Sequence, residues 1–418
     1  MQSNYKSLVN YIREVNVRNT ELKVDKLMGV SIQKELMPSI ANTVGTNMRT
    51  YKILKKRQFA YGPVTSRNGD KISVALLEDY DEVIISQAYT SFEIINIDKL
   101  LPEYLMMWFR RPEFDRYARF MSHGSAREVF GWEELCNTKL PVPSIETQRA
   151  IVIEYNTVKN RIALNNQLIQ KLEETAQTIY KQWFVDFEFP DENGQPYKSS
   201  GGKMVFNEEL NKEVPEGWEH LDIQELISRQ IIFKNQDGNH GEIHPRSSDF
   251  VEEGVPFLMA KDIINGFVNI HSCKNISKQQ ADKLRIKPAK GGDVLLTHKA
   301  TMGRVAIVPE DIGEVVLTPQ VTYYRPRDLD KINKEFLFYL FNSFDFKTQL
   351  TGYSEQSTRS FLSITNQRYL KVLFPNKIPI KLFKAKVEGV LEHKKNINNS
   401  TIKLLDLLEI ILSKLAII

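Results

Sequence analysis

The order of elements in the first half of this 418-residue chain returns in its second half. Gly69 precedes a hydrophobic run (Val74, Ala75, Leu76, Leu77), and Gly303 precedes another (Val305, Ala306, Ile307, Val308). The segment IISQ, ending at Gln87, has its counterpart in LTPQ, ending at Gln320. Tyr104-Leu105 after Glu103 is matched by Phe336-Leu337 after Glu335, and HGSAR ending at Arg127 by EQSTR ending at Arg359. Each match alone is weak. Together, in register at a spacing of roughly 230 residues, they describe a duplicated module far longer than a solenoid repeat. The expected architecture is two similar modules.

The length accommodates two or three domains, each able to bury its own core. A hydrophobic content of 42% with 26% charged residues is that of an ordinary globular chain. No apolar run approaches the length of about 18 residues that reads as a membrane span. The opening MQSNYKSLVN lacks the apolar stretch of a signal peptide, so the expected compartment is the cytoplasm. Cys136 and Cys273 are too few for a disulfide framework or a cysteine zinc site and read as small core residues. The net charge of +4 does not by itself point to nucleic acid. Two basic runs do so modestly: Arg49, Lys52, Lys55, Lys56 and Arg57, then Lys274, Lys278, Lys283, Arg285, Lys287 and Lys290. Phosphate contact and a merely solvated face both account for such runs.

Composition divides the chain further. Residues 1–143 mix short β-rich runs such as VIIS and FEIINI with one helical stretch, which is an α/β (α+β) pattern. The prolines of LPVPS close a strand, and a helix is expected over 144–190, capped by Ser144 or Thr147. It carries a seven-residue repeat: Ile151, Val158, Asn165, Leu172 and Ile179, with Tyr155, Ile162, Ile169, Ala176 and Trp183 four residues later. No proline or glycine interrupts 146–189, so about 35 helical residues would rise roughly 50 Å. Asn165 is the one polar residue on the stripe, where a buried amide sets register, or else marks an exposed helix end. Residues 191–214, rich in Gly, Ser, Asn and Pro, read as a linker. The second module spans 215–375, and a second helix is expected over 376–418 with its own stripe of Val390, Ile397, Leu404, Ile411 and Ile418, supported by Leu408 and Leu415. Two such helices should pair antiparallel as a coiled-coil-like spacer, giving an internal pseudo-twofold axis.

Several stretches carry a resemblance. They are VNVRNTELKV (15–24), GVSIQKELMPSIANTVG (29–45), LEETAQTIYKQWFVDFEFP (172–190), VPEGWEHLDI (214–223) and GGDVLLTHKATMGRVAIVP (291–309). They resemble type I restriction-modification specificity subunits, over essentially the whole chain and in the same order of module, helix, module, helix. That resemblance implies two target-recognition domains, each reading one half of a bipartite double-stranded DNA sequence, joined by spacer helices. It implies a non-catalytic subunit that holds two methyltransferase subunits and recruits restriction subunits. S-adenosylmethionine, ATP and Mg2+ would belong to those partners, with no cofactor on this chain. A spacer of this length fits two modules at least one duplex turn of about 34 Å apart.

The missing motifs agree with a non-catalytic role. There is no G-x-x-x-x-G-K-[ST] loop, no G-x-G-x-x-G, no H-E-x-x-H and no Asn/Asp-Pro-Pro-Tyr/Phe sequence. The spacing of His240 and His244 is interrupted by Gly241, and Pro245 follows, which argues for a loop over a helical zinc site. In DGNHGEIHP (237–245) the glycines permit close backbone approach, and Asn239 and His240 offer donors and acceptors to a groove, or the segment is an ordinary polar turn. Lys299, Thr301 and Arg304 flank a glycine and suit phosphates; Thr65, Ser66, Arg67 and Lys71 are their counterparts in the first module. Arg127 behind Ser125, and Arg359 behind Ser357 and Thr358, suit the DNA backbone or a guanine, or brace a loop. Gln87 and Gln320 are placed on strands, for adenine readout or for packing. Gln167, Gln170, Gln177, Lys394, Asn398 and Asn399 form a candidate helix surface for the methyltransferase, or a solvated face. Two other readings remain open at this point: a self-contained modification enzyme, and a scaffold that contacts no DNA.

Overall fold

The computed structural model describes residues 5–39, 45–66, 68–69, 71–124, 128–299, 301–355 and 361–417. They form two compact units, one of Met1–Asn166 with Asn399–Ile418, the other of Gln167–Asn398.

Unit one begins with β1 (Tyr5–Ser7), β2 (Ile12–Val15), β3 (Leu27–Val30), β4 (Leu36–Pro38) and β5 (Lys52–Lys55). There follow β6 (Phe59–Tyr61), β7 (Val74–Leu76), β8 (Glu82–Ile85) and β9 (Thr90–Ile94). Three short helices, α1 (Pro102–Arg110), α2 (Pro112–Phe120) and α3 (Trp132–Asn137), precede β10 (Lys139–Pro141). One sheet has the order β2-β9-β6-β7; the other, β4-β3-β8-β5, contains one parallel pair, β3 with β8. β1 pairs with β10. Helix α1 buries every residue from Tyr104 to Phe109, and a helix apolar on all sides has to be enclosed. It closes over Phe59 and Phe92, which face each other in the β6–β9 register and stack at 4.7 Å. Each such ring contributes roughly 1.5–3 kcal/mol on burial.

Helix α4 (Ile145–Phe184) begins in unit one and ends in unit two. Unit two continues with β11 (Met204–Asn207), β12 (Lys212–Pro215), β13 (Glu219–Asp222), α5 (Ile223–Ser228), β14 (Phe250–Val251) and β15 (Val255–Leu258). After the hairpin of β16 (Ile263–Ile264) and β17 (Phe267–Val268) come β18 (Lys274–Ile276), α6 (Lys278–Lys283), β19 (Ala289–Lys290) and β20 (Val294–Thr297). β21 (Val305–Ile307), β22 (Glu314–Leu317), β23 (Val321–Tyr324), α7 (Lys334–Asn342), α8 (Phe344–Glu355), α9 (Ile364–Gln367) and β24 (Lys371–Phe374) lead into α10 (Lys377–Lys414).

The topology of unit one returns here. β21-β20-β23 repeats β7-β6-β9, and residues Ile232 and Gln236 bridge to Pro326 and Tyr323 where β2 pairs with β9. β18-β15-β22-β19 repeats β4-β3-β8-β5, including the single parallel pair, now β15 with β22. β13 with β24 repeats β1 with β10, and each pair leads into a long helix. The duplicated sequence is therefore a duplicated fold.

One joint is solved twice, in different ways. The N-cap of α1, Leu101, has no capping side chain, so Gln148 from α4 accepts its N–H at 2.9 Å and donates to the carbonyls of Lys99 and Pro143. In unit two Asn333 caps α7 by accepting from the Phe336 N–H, and its amide donates to the Ile380 carbonyl, at the register of Gln148.

The helical stripes face inward within each unit. In unit one Tyr155 and Val158 share a core with Ile411, Leu412 and Leu415, with Ile151, Ile162, Leu404 and Leu408 packed at its edge, and Asn165 donates to Thr401 Oγ1 at 3.0 Å. In unit two Ile169 and Ile397 are buried, Leu172 is half-buried, and Ile179 and Val390 edge the core that holds Trp183. There Glu173 meets Lys394 while Trp183 meets Phe383, so the two segments run antiparallel. Ile418 lies outside the described residues.

Two expectations change. The helix expected over 144–190 ends at Phe184, because Phe187 takes a left-handed φ of 66° and breaks the hydrogen-bond ladder. Phe187 and Phe189 then pack on Trp218 at 5.5 and 5.4 Å. The stretch expected as a linker over 191–214 is ordered: Asp191 accepts from the N–H groups of Asn193 and Gln195, Tyr197 stacks on Phe189, and β11 pairs with β12. Its Gly and Asn residues serve tight turns.

Candidate nucleic-acid interface

In both units the sheet strand that leads into the first candidate loop is tied to the segment following the second. Unit one has the Val64–Val129 bridge, with the Phe130 N–H donating to the Pro63 carbonyl at 2.8 Å. Unit two has Lys299–Phe361, with the Leu362 N–H donating to the His298 carbonyl at 3.0 Å. Residues 63–65 are thereby brought against Ser122 and 128–130, and 298–299 against 361–362. Thr65 donates to Ser122 Oγ at 3.0 Å, and in unit two the His298 N–H donates to the Gln320 carbonyl at 3.0 Å. Lys299, His298 and Gln320 therefore converge at one end of the β21-β20-β23 sheet.

His298 is fully buried there. Its Nδ1 faces the Leu362 carbonyl at 2.9 Å and therefore carries the hydrogen, which leaves Nε2 as a buried acceptor without a partner among the described residues. Burial pushes its pKa down; Asp237 opposes this, and His240 and Lys299 add to it. The ring stays neutral near pH 7. Asp237 is itself buried and meets His240 Nε2 at 2.8 Å. His240 is the outward group, with 60% of its side chain exposed.

Among the described residues no cluster of three or more His, Cys, Asp or Glu could hold a metal, and no helix is long and apolar enough to cross a membrane. Burial pushes the Cys273 thiol up to about 12 and raises that of Cys136, so neither is a reactive thiolate.

Comparison with known proteins decides the family. The type I restriction modification DNA specificity domain matches twice, over residues 33–174 and 215–381, one copy in the sequence of each repeat. The chain belongs to this family. Its relatives include the MjaIX specificity subunit of Methanocaldococcus jannaschii, 27% identical over 52% of this chain and 46% of that protein. The HindI specificity subunit of Haemophilus influenzae is 29% identical over 37% of this chain and 34% of that one, and the Escherichia coli EcoBI subunit 23% over 67% and 58%. The matches thus span between a third and three fifths of the relatives' lengths. The crystal structure of the S subunit from M. genitalium shares the fold, with a TM-score of 0.54 at 13% identity over 99% of this chain and 95% of that one.

For a chain with two specificity domains, the placement of each expected contact residue matters, and several expectations are corrected. Lys52 is 5% exposed and donates to the Tyr89 carbonyl at 2.8 Å; burial lowers its pKa, and it faces no solvent. Thr65 is 2% exposed and spends its hydroxyl on Ser122 and the Glu128 carbonyl. Asn239 is 2% exposed and clamps Ile286, accepting from its N–H at 2.9 Å and donating to its carbonyl at 3.2 Å. Gln87 and Gln320 lie in turns beside β8 and β23, not within strands. Lys394, expected on an open helix face, is buried against Glu173.

Other residues are exposed but partly engaged. Arg49 donates to the Thr20 carbonyl, Arg304 donates to the Ile263 carbonyl at 3.1 Å, and Lys299 lies over the Phe361 ring. Ser66, Gln87, Thr301 and His240 are exposed, and Gln320 is half-buried. Arg67, Ser125, Arg127, Ser357, Thr358 and Arg359 lie outside the described residues. Within the second basic run Lys278 is neutralised by Asp282 and Glu314 at 3.1 and 2.8 Å. Asp237 and His298 were missed by sequence reasoning. The D-x-x-H spacing of Asp237 and His240 was a usable signal; nothing in the sequence marks His298 as buried.

Proposed function

We propose that this chain is the non-catalytic DNA sequence-specificity subunit of a type I restriction-modification complex. Each unit reads one half of a bipartite double-stranded target. The helices α4 and α10 pair as a coiled-coil-like spacer about a pseudo-twofold axis, set the gap between half-sites, and dock two methyltransferase subunits, through which restriction subunits join. S-adenosylmethionine, ATP and Mg2+ are assigned to those partners. The observation that carries the reading is the repeated topology with one specificity-domain match in each copy: a duplicated reader suits a two-part target. Phosphate contacts supply affinity and base contacts supply sequence.

The test is methylome sequencing of cells that carry this chain with and without its cognate methyltransferase subunit. Methyladenine at an asymmetric two-part motif with a fixed gap, only when both are present, is the expected result. Methylation by this chain alone, or no new motif from an otherwise active partner, refutes it. Inserting one heptad into α4 should leave both half-sites intact and change their separation.

A further inference from the structure

Within that reading, the loop of residues 237–240 has the construction of a reading head. Asp237 is buried, and a carboxylate only accepts, so His240 Nε2, 2.8 Å away, bears the ring hydrogen. In the neutral ring Nδ1 then carries a lone pair, and among the described residues nothing meets it. The backbone beneath is fixed. A Cβ on Gly238 would come within 2.0 Å of the Leu317 carbonyl oxygen, Asn239 is clamped to Ile286, and His244 Nδ1 lies 3.1 Å from the Asn239 carbonyl. An exposed imidazole on an anchored loop, oriented by a buried carboxylate, is pre-organised for a ligand.

The clamp adds a second, independent feature. Ile286 is flanked by Arg285 and Lys287, both exposed and, among the described residues, in no ion pair, whereas Lys278 of the same run is neutralised. Asn239 thus ties the segment that carries both cations to the histidine's own loop. We propose that His240 accepts a hydrogen bond at Nδ1 from an exocyclic amine of a base in the half-site read by unit two, while Arg285 and Lys287 take the neighbouring phosphates. Asp237 is the positioning residue that sets the tautomer. The amines that fit are those of adenine or cytosine in the major groove and of guanine in the minor groove; thymine offers none.

The test uses the full chain with its cognate methyltransferase subunit, measuring binding and methylation on duplexes substituted at each base pair of that half-site. His240→Ala should lose roughly fivefold to a hundredfold of discrimination at one pair, with the half-site read by unit one unchanged as a folding control. The identity of the pair distinguishes adenine, cytosine and guanine. Asp237→Asn, which preserves shape and frees the tautomer, should weaken discrimination at the same pair and no other. The double variant Arg285→Ala, Lys287→Ala should weaken all duplexes alike and reduce the slope of log affinity against log salt by about 2. Uniform weakening by His240→Ala, an unchanged motif, or altered sequence preference in the arginine–lysine variant overturns the proposal. If the wild-type complex methylates no two-part motif, the specificity-subunit reading falls and this inference with it; if the motif forms and His240→Ala leaves it intact, the inference alone falls.

Discussion

Removing Glu173 should cost far more than removing its partner Lys394. Lys394 is 2% exposed by its side chain, and its ammonium sits against Glu173 between the rings of Phe267 and Phe338, 5.6 and 5.7 Å from their centroids. Glu173 retains 23% exposure. Glu173→Ala leaves a buried cation without its counterion, a loss of about 3–5 kcal/mol. Lys394→Met keeps the aliphatic volume between the rings and returns Glu173 to partial hydration. It gives up a cation–π contact of roughly 0.5–2 kcal/mol but also the desolvation of the ammonium, for a net change within about 1 kcal/mol. For a unit of this size about 1 kcal/mol moves the midpoint by roughly 2–4 °C, so Glu173→Ala should melt about 6–20 °C lower. Because two units need not unfold together, the assay needs a local probe. In a Trp108→Phe, Trp132→Phe background the remaining tryptophans, Trp183 and Trp218, both report on unit two. A shift below about 2 °C for Glu173→Ala, or an equal loss for Lys394→Met, would refute the reasoning, since it rests on the asymmetry of burial.

Three further outcomes follow from the geometry. Gly238→Ala should destabilise the loop by about 1–3 kcal/mol, because its Cβ would meet backbone atoms of Leu317 and Thr318 that cannot rotate away; faster amide exchange at 237–240 checks it. Burial raises the pKa of Glu335, whose Oε2 has no partner among the described residues. The folded state thus binds that proton more tightly than the unfolded state, and the stability involved is fully present below 4.5 and lost as pH rises through the raised value. Glu335→Gln should accordingly melt higher than wild type at pH 7, with the difference shrinking toward pH 4. Gln148→Ala should destabilise unit one by about 1–3 kcal/mol by stranding the Leu101 N–H, with unit two unaffected, as tryptophan fluorescence in the complementary Trp183→Phe, Trp218→Phe background would report.

What the sequence by itself determined was periodic or repeated. Four matched segments foretold two units of one topology, because a duplicated chain carries the same local rules twice. The heptad stripes foretold two long helices, since a stripe at that period has only one way to be buried. Side-chain fate was another matter. Asn239, Thr65 and Lys52 look like polar contacts on paper, yet each spends its polar atoms on a backbone group brought in from elsewhere in the chain: Ile286, Glu128 and Tyr89. A polar residue in a loop reads the same whether it faces solvent or satisfies a buried carbonyl, because hydrogen-bond partners distant in sequence leave no local signal. The end of α4 at Phe184 and the ordered stretch after it were hidden for the same reason. Phe187 takes a left-handed backbone and packs its ring against Trp218, a residue distant in sequence. Tertiary structure alone decided which histidine faces outward and which carboxylate holds it, because burial and pairing depend on where the folded chain brings distant segments together.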